Sequence, residues 1–280
     1  WGDNQYGQLG LGHFLTPQMV PAAVPGLGSV TRLDCGADFT CAIHDGGLLS
    51  CWGHNQYGQL GIGNTLNQNM PQQVFLLAAA ASVSTGDAHV CAVDVAGSVW
   101  CWGYNAYGQL GDGTTSSRTL PVQVTALAGV GMVAAGGSHT CAALSGGGDL
   151  YCWGNNQYGQ LGTGSTFPSR SYEPILSEWP GASVVSLAAG SLHNCAVDAA
   201  GSIWCWGYNA YGQLGIGNTN NRSFPQRVSA LANGVSATAG SAHSCALLGS
   251  GMVYCWGENT YGQLGDGSTA RKLLPSAVAP

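Results

Sequence analysis

Residues 101–111 read CWGYNAYGQLG, and this stretch decides the fold because the chain repeats it. The other copies are WGDNQYGQLG at 1–10, CWGHNQYGQLG at 51–61, CWGNNQYGQLG at 152–162, CWGYNAYGQLG at 205–215 and CWGENTYGQLG at 255–265. Their tryptophans lie 50 to 53 residues apart, and a constant period of this size is typical of a repeat architecture. The repeated motif is therefore either a functional signature used six times or part of the scaffold.

Each period contains four short segments separated by glycine-rich turns. The first is small and β-branched, as in VGMVAAGG at 130–137, and the second is an H-x-C-A segment, as in HVCAV at 89–93. The third ends in C-W-G, as in SVWCWG at 98–103, and the fourth is a P-x-x-V segment, as in PVQV at 121–124. No segment has a helical period, and four short strands per unit indicate a propeller blade. We predict an all-β propeller of four-stranded blades, with five complete blades and one partial blade visible and six or seven in the complete ring.

The residue types assign each segment a place in the blade. The small A-A-G segment suits the inner strand, where blades converge and only small side chains fit. The P-x-x-V segment suits the outer edge strand, where the missing N–H of proline does no harm. The tryptophan of C-W-G is large enough to fill the wedge between neighbouring blades.

The same period places the blade boundaries within one propeller domain, residues 1–280. We place the blades at approximately 28–78, 79–128, 129–181, 182–232 and 233–280, with 1–27 forming the outer part of an incomplete blade. Because an open propeller leaves unpaired edges, we expect a longer natural chain. About 25 further residues would close six blades and about 75 would close seven. Alternatively, strand donation from a second subunit completes the ring and builds a filament.

Charge and hydropathy exclude two classes of partner. The net charge is −6, and Lys272 is the single lysine. No basic stripe of the kind that binds nucleic acid is visible, so we expect no nucleic-acid partner. No apolar run approaches the roughly 18 residues that span a membrane, so we expect no membrane-spanning segment.

Ten of the eleven cysteines fall into five pairs that bracket the turn between the second and third strands. The pairs are Cys41/Cys51, Cys91/Cys101, Cys141/Cys152, Cys195/Cys205 and Cys245/Cys255. A hairpin that turns at Ala96 places residue 93 opposite 99 and Cys91 opposite Cys101, at a Cα separation of ~4.5 Å that a disulfide accepts. The third pair has one extra residue, which falls inside the turn at GGG 146–148. Systematic disulfides predict an oxidising, extracellular or cell-surface location.

Two alternatives for the pairs are reduced core cysteines and a zinc site, for which His139, Cys141 and Cys152 could supply three ligands. The leftover Cys35 is expected to be a buried, inert thiol, and a bridge to another segment or chain is its alternative. The recurring His89, His139, His193 and His243 are expected to bond a neighbouring loop, and Phe39 takes their position in the first full unit. GDGT at 111–114 and GDGS at 265–268 are expected to be turns rather than calcium sites.

The pattern W-G-x-N-x-x-G-Q-L-G, followed by P-x-x-V and then A-G-x-x-H, resembles the regulator of chromosome condensation repeat. The resemblance covers the whole chain and implies a β-propeller, typically with seven blades. Two activities occur in that family: guanine-nucleotide exchange on a small GTPase, and protein binding by secreted bacterial members. The exchange factor uses a basic nucleosome-binding edge, a charge that this chain lacks, and the cysteines depart from the nuclear pattern. The chain therefore looks like the disulfide-rich secreted bacterial type.

Candidate binding residues lie where the repeats differ. Arg118, Arg170, Arg222 and Arg271 follow their motif tryptophans by 15 to 17 residues, which predicts one loop position and one face of the ring. They could grip acidic side chains of a partner, or they could be solvated charges that aid solubility. The enlarged loop SRSYEPILSEWPG at 169–181 adds Tyr172 and Trp179 as contact candidates, although Trp179 could instead pack onto the blade.

No catalytic constellation is visible, since the chain has no nucleophile elbow, no paired carboxylates within a motif and no phosphate loop. We therefore predict a non-catalytic extracellular scaffold that binds a protein partner or itself, without cofactor or metal. The first alternative is a structural subunit of an extracellular filament or surface assembly. The second is an enzyme, a lyase or hydrolase, with its site on one propeller face.

Overall fold

The computed structural model describes residues 1–75 and 78–279, and within them it contains twenty strands and no helix. Blade 1 comprises β1 (Val30–Cys35), β2 (Phe39–His44), β3 (Leu48–Gly53) and β4 (Gln68–Val74). Blade 2 comprises β5 (Ala80–Thr85), β6 (His89–Asp94), β7 (Val99–Gly103) and β8 (Arg118–Gln123). Blade 3 comprises β9 (Val130–Ala135), β10 (His139–Leu144), β11 (Leu150–Asn155) and β12 (Arg170–Leu176). Blade 4 comprises β13 (Val184–Ala189), β14 (His193–Asp198), β15 (Ile203–Gly207) and β16 (Arg222–Arg227). Blade 5 comprises β17 (Gly234–Ala239), β18 (His243–Leu248), β19 (Val253–Gly257) and β20 (Lys272–Ala277).

Each blade is a four-stranded antiparallel sheet whose strands follow chain order from the axis outward. The first strands of consecutive blades contact one another around the axis, from β1 through β5, β9 and β13 to β17. Every fourth strand carries the proline that the sequence placed at the outer edge: Pro71, Pro121, Pro174, Pro225 and Pro275. The predicted all-β propeller of four-stranded blades is confirmed.

The motif tryptophans fill the wedges between blades and tie them together. Each buried indole N–H donates to the glutamine carbonyl of the preceding motif at 2.8–3.0 Å. The five pairs are Trp52 with Gln8, Trp102 with Gln59, Trp153 with Gln109, Trp206 with Gln160 and Trp256 with Gln213. Gly61 has a φ of +71°, and an added Cβ would lie 2.6 Å from Nε1 of Trp102. The indole therefore requires a glycine at the end of the motif.

The polar residues of the motif satisfy the backbone of its own turn. The amide oxygen of Gln59 accepts the Tyr57 N–H at 2.9 Å, and Oδ1 of Asn55 accepts the Leu60 N–H at 3.0 Å. The same two bonds occur in all six copies. Apart from its tyrosines, the repeated motif is thus explained as part of the scaffold.

The five cysteine pairs are all bridged, with Cα atoms 4.1–4.2 Å apart. Cys91 lies directly opposite Cys101 and Val93 opposite Val99, as the hairpin argument requires. Cys141 also lies directly opposite Cys152, because the turn takes up the extra residue of this blade. The bridges are Cys41–Cys51, Cys91–Cys101, Cys141–Cys152, Cys195–Cys205 and Cys245–Cys255.

The third-strand cysteine of each bridge lies at an irregularity that the sequence argument did not include. The register between the third and fourth strands shifts between this cysteine and the glycine two residues later. The residues at which the shift begins are Cys51, Cys101, Cys152, Cys205 and Cys255. Since each of them still lies directly opposite its second-strand partner, the hairpin stays regular and the outer strand takes up the shift.

Residues 1–27 pack onto blade 1 as each motif packs onto the next blade. Gly2 and Gln18 form an isolated antiparallel bridge. The Gln8 carbonyl accepts both the Trp52 indole N–H at 2.9 Å and the Thr40 hydroxyl at 3.0 Å. In the described ranges, no helix is long and apolar enough to cross a membrane.

Candidate functional site

The antiparallel blades give the ring two different faces. Gly103, at the end of the third strand, lies opposite Arg118, at the start of the fourth. The Tyr104 N–H donates at 2.9 Å to the Ala88 carbonyl in the turn between the first and second strands. That turn and the repeated motif therefore share one end of each blade, which we call the motif face. The hairpins between second and third strands lie on the opposite, hairpin face.

The basic side chains of the motif face begin the outer strands instead of lying in a loop, which corrects our prediction. Arg118, Arg170 and Arg222 are the first residues of β8, β12 and β16. In blade 5 that place belongs to Lys272, which pairs with Gly257 as Arg222 pairs with Gly207. Arg271 precedes the strand by one residue.

Two of these cations are neutralised within their own blade. A guanidinium N–H of Arg118 lies 2.7 Å from the Asp112 carboxylate, and the Lys272 ammonium lies 3.2 Å from that of Asp266. Burial opposes ionisation of Asp112, but hydrogen bonds from Thr114 and Arg118 outweigh it and lower its pKa. The Ser268 hydroxyl holds the pKa of Asp266 well below its usual range. The predicted turns GDGT at 111–114 and GDGS at 265–268, which contain these two aspartates, are therefore hydrogen-bonded turns.

The other three arginines keep their charge available. The guanidinium of Arg170 lies 5.7 Å from the ring centroid of Tyr172. Arg222 and Arg271 donate only to backbone carbonyls, at 3.1 Å and 3.4 Å. Within the described ranges, none of the three forms an ion pair with a carboxylate.

The segment 169–181 was predicted as an irregular loop, and most of it is instead the outer strand β12. Tyr172 lies in that strand with its side chain exposed on the outside. Trp179 is half-buried: its indole N–H donates to the Ala182 carbonyl at 2.8 Å, and its ring lies 5.9 Å from Trp204. Trp179 therefore packs onto the blade, the alternative kept open above, while its role in binding stays a prediction.

The tyrosines of the repeated motif add an aromatic surface, which the sequence analysis did not identify. The rings of Tyr57 and Tyr104 of the next blade contact each other at a tilt, with centroids 4.8 Å apart, and those of Tyr158 and Tyr208 do so at 4.7 Å. Yet Tyr57, Tyr211 and Tyr261 expose 38%, 41% and 91% of their surface. The sequence signal that could have identified this surface is the recurrence of aromatic residues at one edge of the motif.

An axial cavity opens at the centre of the motif face. Its outer part has a volume of about 400 Å³ and its deeper part about 330 Å³. The two parts are contiguous, because Cys35, Thr85, Ala135, Ala189 and Ala239 line both. Cys35 is exposed there, so the prediction of a buried thiol is wrong. The reason is that Cys35 lines the axial cavity, which leaves its thiol uncovered.

The bridged cysteines lie inside the blades, away from this cavity. Cys51 and Cys205 are fully buried in apolar clusters that include the wedge tryptophan of the next blade, Trp102 and Trp256 respectively. Cys255 belongs to blade 5 and is also buried. These three bridged cysteines are therefore part of the scaffold and do not contribute to a binding surface, because the packed blades cover the sulfur atoms.

Three of the four recurring histidines connect consecutive blades at contacts that we call joints, and in the described ranges His243 makes no such contact. At joint 2/3, Nε2 of His89 lies 2.9 Å from Oγ1 of Thr140, whose hydroxyl donates to the Gln109 carbonyl at 2.8 Å. His139 meets Asn194 at joint 3/4, and His193 meets Ser244 at joint 4/5, both at 2.8 Å. The histidines thus bond a strand of the neighbouring blade, not a loop as predicted.

These three histidines are buried and neutral. Burial lowers the pKa of His89 and His193 to about 3 and that of His139 to about 4. Because the hydroxyls of Thr140 and Ser244 donate their own hydrogen to carbonyls, each accepts a hydrogen bond from the Nε2–H of its histidine. Over residues 1–75 and 78–279, no group of three or more His, Cys, Asp or Glu side chains could hold a metal ion.

Comparison with known proteins extends these observations. A family model described as the RCC1-like domain matches residues 1–280. The ultraviolet-B receptor UVR8 of Arabidopsis thaliana is 34% identical over 83% of this chain, which spans about half of UVR8 (53%). Human WBSCR16 superimposes over 100% of this chain and 75% of its own, with a TM-score of 0.85 and 24% identity. Yeast RCC1 (Prp20), solved with Kap60 bound, covers 90% of this chain and 61% of its own, with a TM-score of 0.79 and 23% identity.

Proposed function

Because this chain belongs to the RCC1-like domain family, we propose that it is a non-catalytic extracellular scaffold whose motif face binds a protein partner. The observation that carries the proposal is the coincidence of exposed tyrosines and unpaired arginines on one face of the ring. Tyrosine and arginine are the residues most enriched where protein interfaces gain their affinity. Arg170, Arg222 and Arg271 would grip carboxylates of the partner around the tyrosine surface.

The fold is compatible with this role. Yeast RCC1, which shares the fold, was solved with Kap60 bound and is described with binding properties to Gsp1p and histones. The choice of face and of partner class rests on the side chains of this chain. Its net charge of −6 supports a protein partner over a nucleic acid.

The non-catalytic part is supported by the number of reactive groups that the scaffold uses, while Cys35, Asp34 and Asp87 remain open to the axial cavity. His89, His139 and His193 are buried in joints, and ten cysteines are bridged. Asp112 and Asp266 neutralise neighbouring cations. General acid–base or nucleophilic chemistry needs such groups to be reachable by substrate.

The extracellular part, and membership of the disulfide-rich secreted bacterial type, are supported by one bridge per blade. Disulfides persist in oxidising compartments and are rare where thiols are kept reduced. Each bridge closes a loop with a sequence separation of 10 or 11 and adds slightly under ~3 kcal/mol of stability. Alkylation of the denatured, unreduced protein should label Cys35 alone. Labelling of the ten paired cysteines in freshly isolated protein would contradict this location.

The binding face can be tested by photo-crosslinking from matched positions. A photoreactive residue at Tyr211 lies on the motif face, and one at Val95 lies in an exposed hairpin on the other face. We expect partner adducts from position 211 and none from position 95. Adducts only from position 95 would place the interface on the hairpin face.

Matched arginine variants within one strand refine the same test. Arg222 begins β16 on the motif face, and Arg227 ends β16 on the hairpin face. Both variants remove one arginine charge from the same strand. Arg222→Ala should weaken partner binding, while Arg227→Ala should leave it unchanged, because only Arg222 lies on the motif face. Equal partner affinities for the two variants would exclude the arginines of the motif face as the contact.

A further inference from the structure

Two carboxylates line the axial cavity without a basic partner. Asp34 lines the deeper part, and Asp87 lines the mouth on the motif face. Among the described residues, no lysine or arginine lines either part. Arg32, two residues before Asp34, is exposed and lines neither. The cavity is therefore a site of negative charge with no internal counter-charge.

The charge on Asp34 exceeds what the fold requires at that point. Its Oδ2 accepts the Thr85 backbone N–H at 2.7 Å, which links the inner strands of blades 1 and 2. In the next joint, Ser84 makes the same link with a neutral hydroxyl, which accepts the Ala135 N–H at 3.0 Å. Because an ionised carboxylate has about four acceptor sites, Asp34 retains capacity for a donor inside the cavity.

The Asp87 carboxylate accepts fewer hydrogen bonds than that of Asp34. Within the described ranges, no side chain or backbone N–H donates to its carboxylate. Its Oδ2 lies above Gly137, where an added Cβ would be only 2.8 Å away. Burial raises the pKa of both Asp34 and Asp87, as it does for carboxylates that no cation stabilises.

An independent feature of the cavity is the hydroxyl of Thr85. The residue exposes only 8% of its surface and lines both parts of the cavity. Its Oγ1 lies near Asp34 but has no hydrogen-bond partner of normal geometry in the described ranges. A buried hydroxyl without a partner is unfavourable, so it marks a position that a ligand can satisfy.

We propose that the axial cavity receives a lysine side chain of the protein partner, with its ammonium group among Asp34, Asp87 and Thr85. An ammonium group has three N–H donors, one for each of Asp34, Asp87 and Thr85. The alanine and glycine walls suit its apolar methylene stem. This inference rests on the proposed function, because it names the chemistry of the partner at the centre of the motif face.

The experiment uses Cys35 as a reporter, since this exposed thiol lines the cavity and the other ten cysteines are bridged. Nα-acetyl-lysine methylamide, whose side-chain ammonium is free, should slow alkylation of Cys35 in a saturable manner, and added salt should weaken this protection. The neutral N-acetyl-norleucine methylamide, of matched shape, should not protect. Equal protection by both compounds, or none by the lysine compound, would overturn the proposal.

Variants locate the site. Asp87→Asn should lower the affinity for the lysine compound roughly ten-fold, which corresponds to one lost charge-assisted hydrogen bond. Asp149→Asn, which removes an exposed carboxylate on the hairpin face, should have no effect. Thr85→Val tests the hydroxyl without changing charge and should also weaken binding. Wild-type affinity in both Asp87→Asn and Thr85→Val would overturn the site.

The outcome separates this inference from the proposed function. If the lysine compound fails to protect Cys35 while position 211 crosslinks a partner, only the lysine site is wrong. If the compound binds as expected while position 211 yields no adduct, the cavity is supported and the protein-binding face is wrong.

Discussion

Joint 1/2 and joint 2/3 have the same backbone geometry and different chemistry. Phe39 pairs with Gly53 in blade 1 as His89 pairs with Gly103 in blade 2, so the two rings occupy equivalent positions. At joint 2/3 the histidine meets the Thr140 hydroxyl of the next blade. At joint 1/2 the equivalent residues are Phe39 and Val90, both buried in one apolar cluster.

The two positions of a joint therefore change together. A buried histidine needs an acceptor for its N–H, and a buried hydroxyl needs a partner of its own, whereas two apolar side chains need neither. The polar solution recurs with three different acceptors, at Thr140, Asn194 and Ser244. Each joint is thus specified as a pair, since a histidine that faces an apolar side chain leaves its Nε2–H buried without an acceptor.

Acid should separate the two kinds of joint most strongly. The pKa of His89 and His193 is about 3 and that of His139 about 4 in the folded protein, against ~6.5 when unfolded. As the pH falls below ~6.5 the unfolded state takes up protons that the folded state excludes. The free energy of unfolding should then fall by about 1.4 kcal/mol per pH unit for each histidine until the folded pKa is reached.

Urea denaturation over a pH series measures this loss, and hydrogen exchange locates it. The backbone amides of Thr140, Asn194 and Ser244 should lose protection in acid before that of Val90. A free energy of unfolding that does not change with pH, or equal loss at all four amides, would show that the histidines do not control the joints.

Removing a wedge tryptophan tests what the two kinds of joint share. Trp102→Ala and Trp153→Ala should each lower the free energy of unfolding by about 3–5 kcal/mol, because each leaves a large buried cavity. Trp102→Ala should cost about 1 kcal/mol more. The Gln109 carbonyl keeps the Thr140 hydroxyl as a donor, whereas at the Gln59 carbonyl no such hydroxyl exists.

The exposed Trp1 provides the control for this prediction, and Trp1→Ala should change the free energy of unfolding by no more than ~0.5 kcal/mol. Chemical denaturation of the three variants is sufficient. A smaller loss for Trp102→Ala than for Trp153→Ala would mean that the second donor at Gln109 does not stabilise its joint.

Features fixed within one blade could be predicted from the sequence. The length of the turn between Cys91 and Cys101 sets the register of the hairpin, and the register brings the two cysteines together. Small residues on the axis and proline at the outer edge follow from the space and the hydrogen bonds available at each strand. The blades and bridges are therefore local consequences of the repeat.

Features that depend on a neighbouring blade could not be predicted. His89 and Thr140 are 51 positions apart, and nothing in either segment alone names the other as partner. The exposure of Cys35 depends on the axial cavity, which five blades form together. Arg271 was misplaced because arginines alone were compared, whereas counting every residue from the motif tryptophan leads to Lys272.

Breaking half of a polar joint should cost less than losing a tryptophan and more than exchanging the whole pair. Thr140→Val leaves the His89 N–H buried without an acceptor, so we expect a loss of about 1–3 kcal/mol. The double variant His89→Phe/Thr140→Val reproduces the pair of joint 1/2 and should be destabilised by less than about 1 kcal/mol. Denaturation of both single variants and the double variant gives the coupling energy. Additive losses would contradict the pairing of the two positions.

The converse exchange, Phe39→His/Val90→Thr, should have the smallest effect at neutral pH. The new hydroxyl can donate to the Gln59 carbonyl, as Thr140 donates to Gln109, and it can accept the new histidine N–H. We therefore expect a change within about 1 kcal/mol near neutral pH, whereas Phe39→His alone leaves an N–H without an acceptor and should cost about 1–3 kcal/mol. In acid the double variant should lose a further ~1.4 kcal/mol per pH unit relative to the parent, because it carries a fourth buried histidine joint. If the double variant instead kept the acid dependence of the parent, the added histidine would not be held neutral, and the likeness of the two joints would end at the backbone.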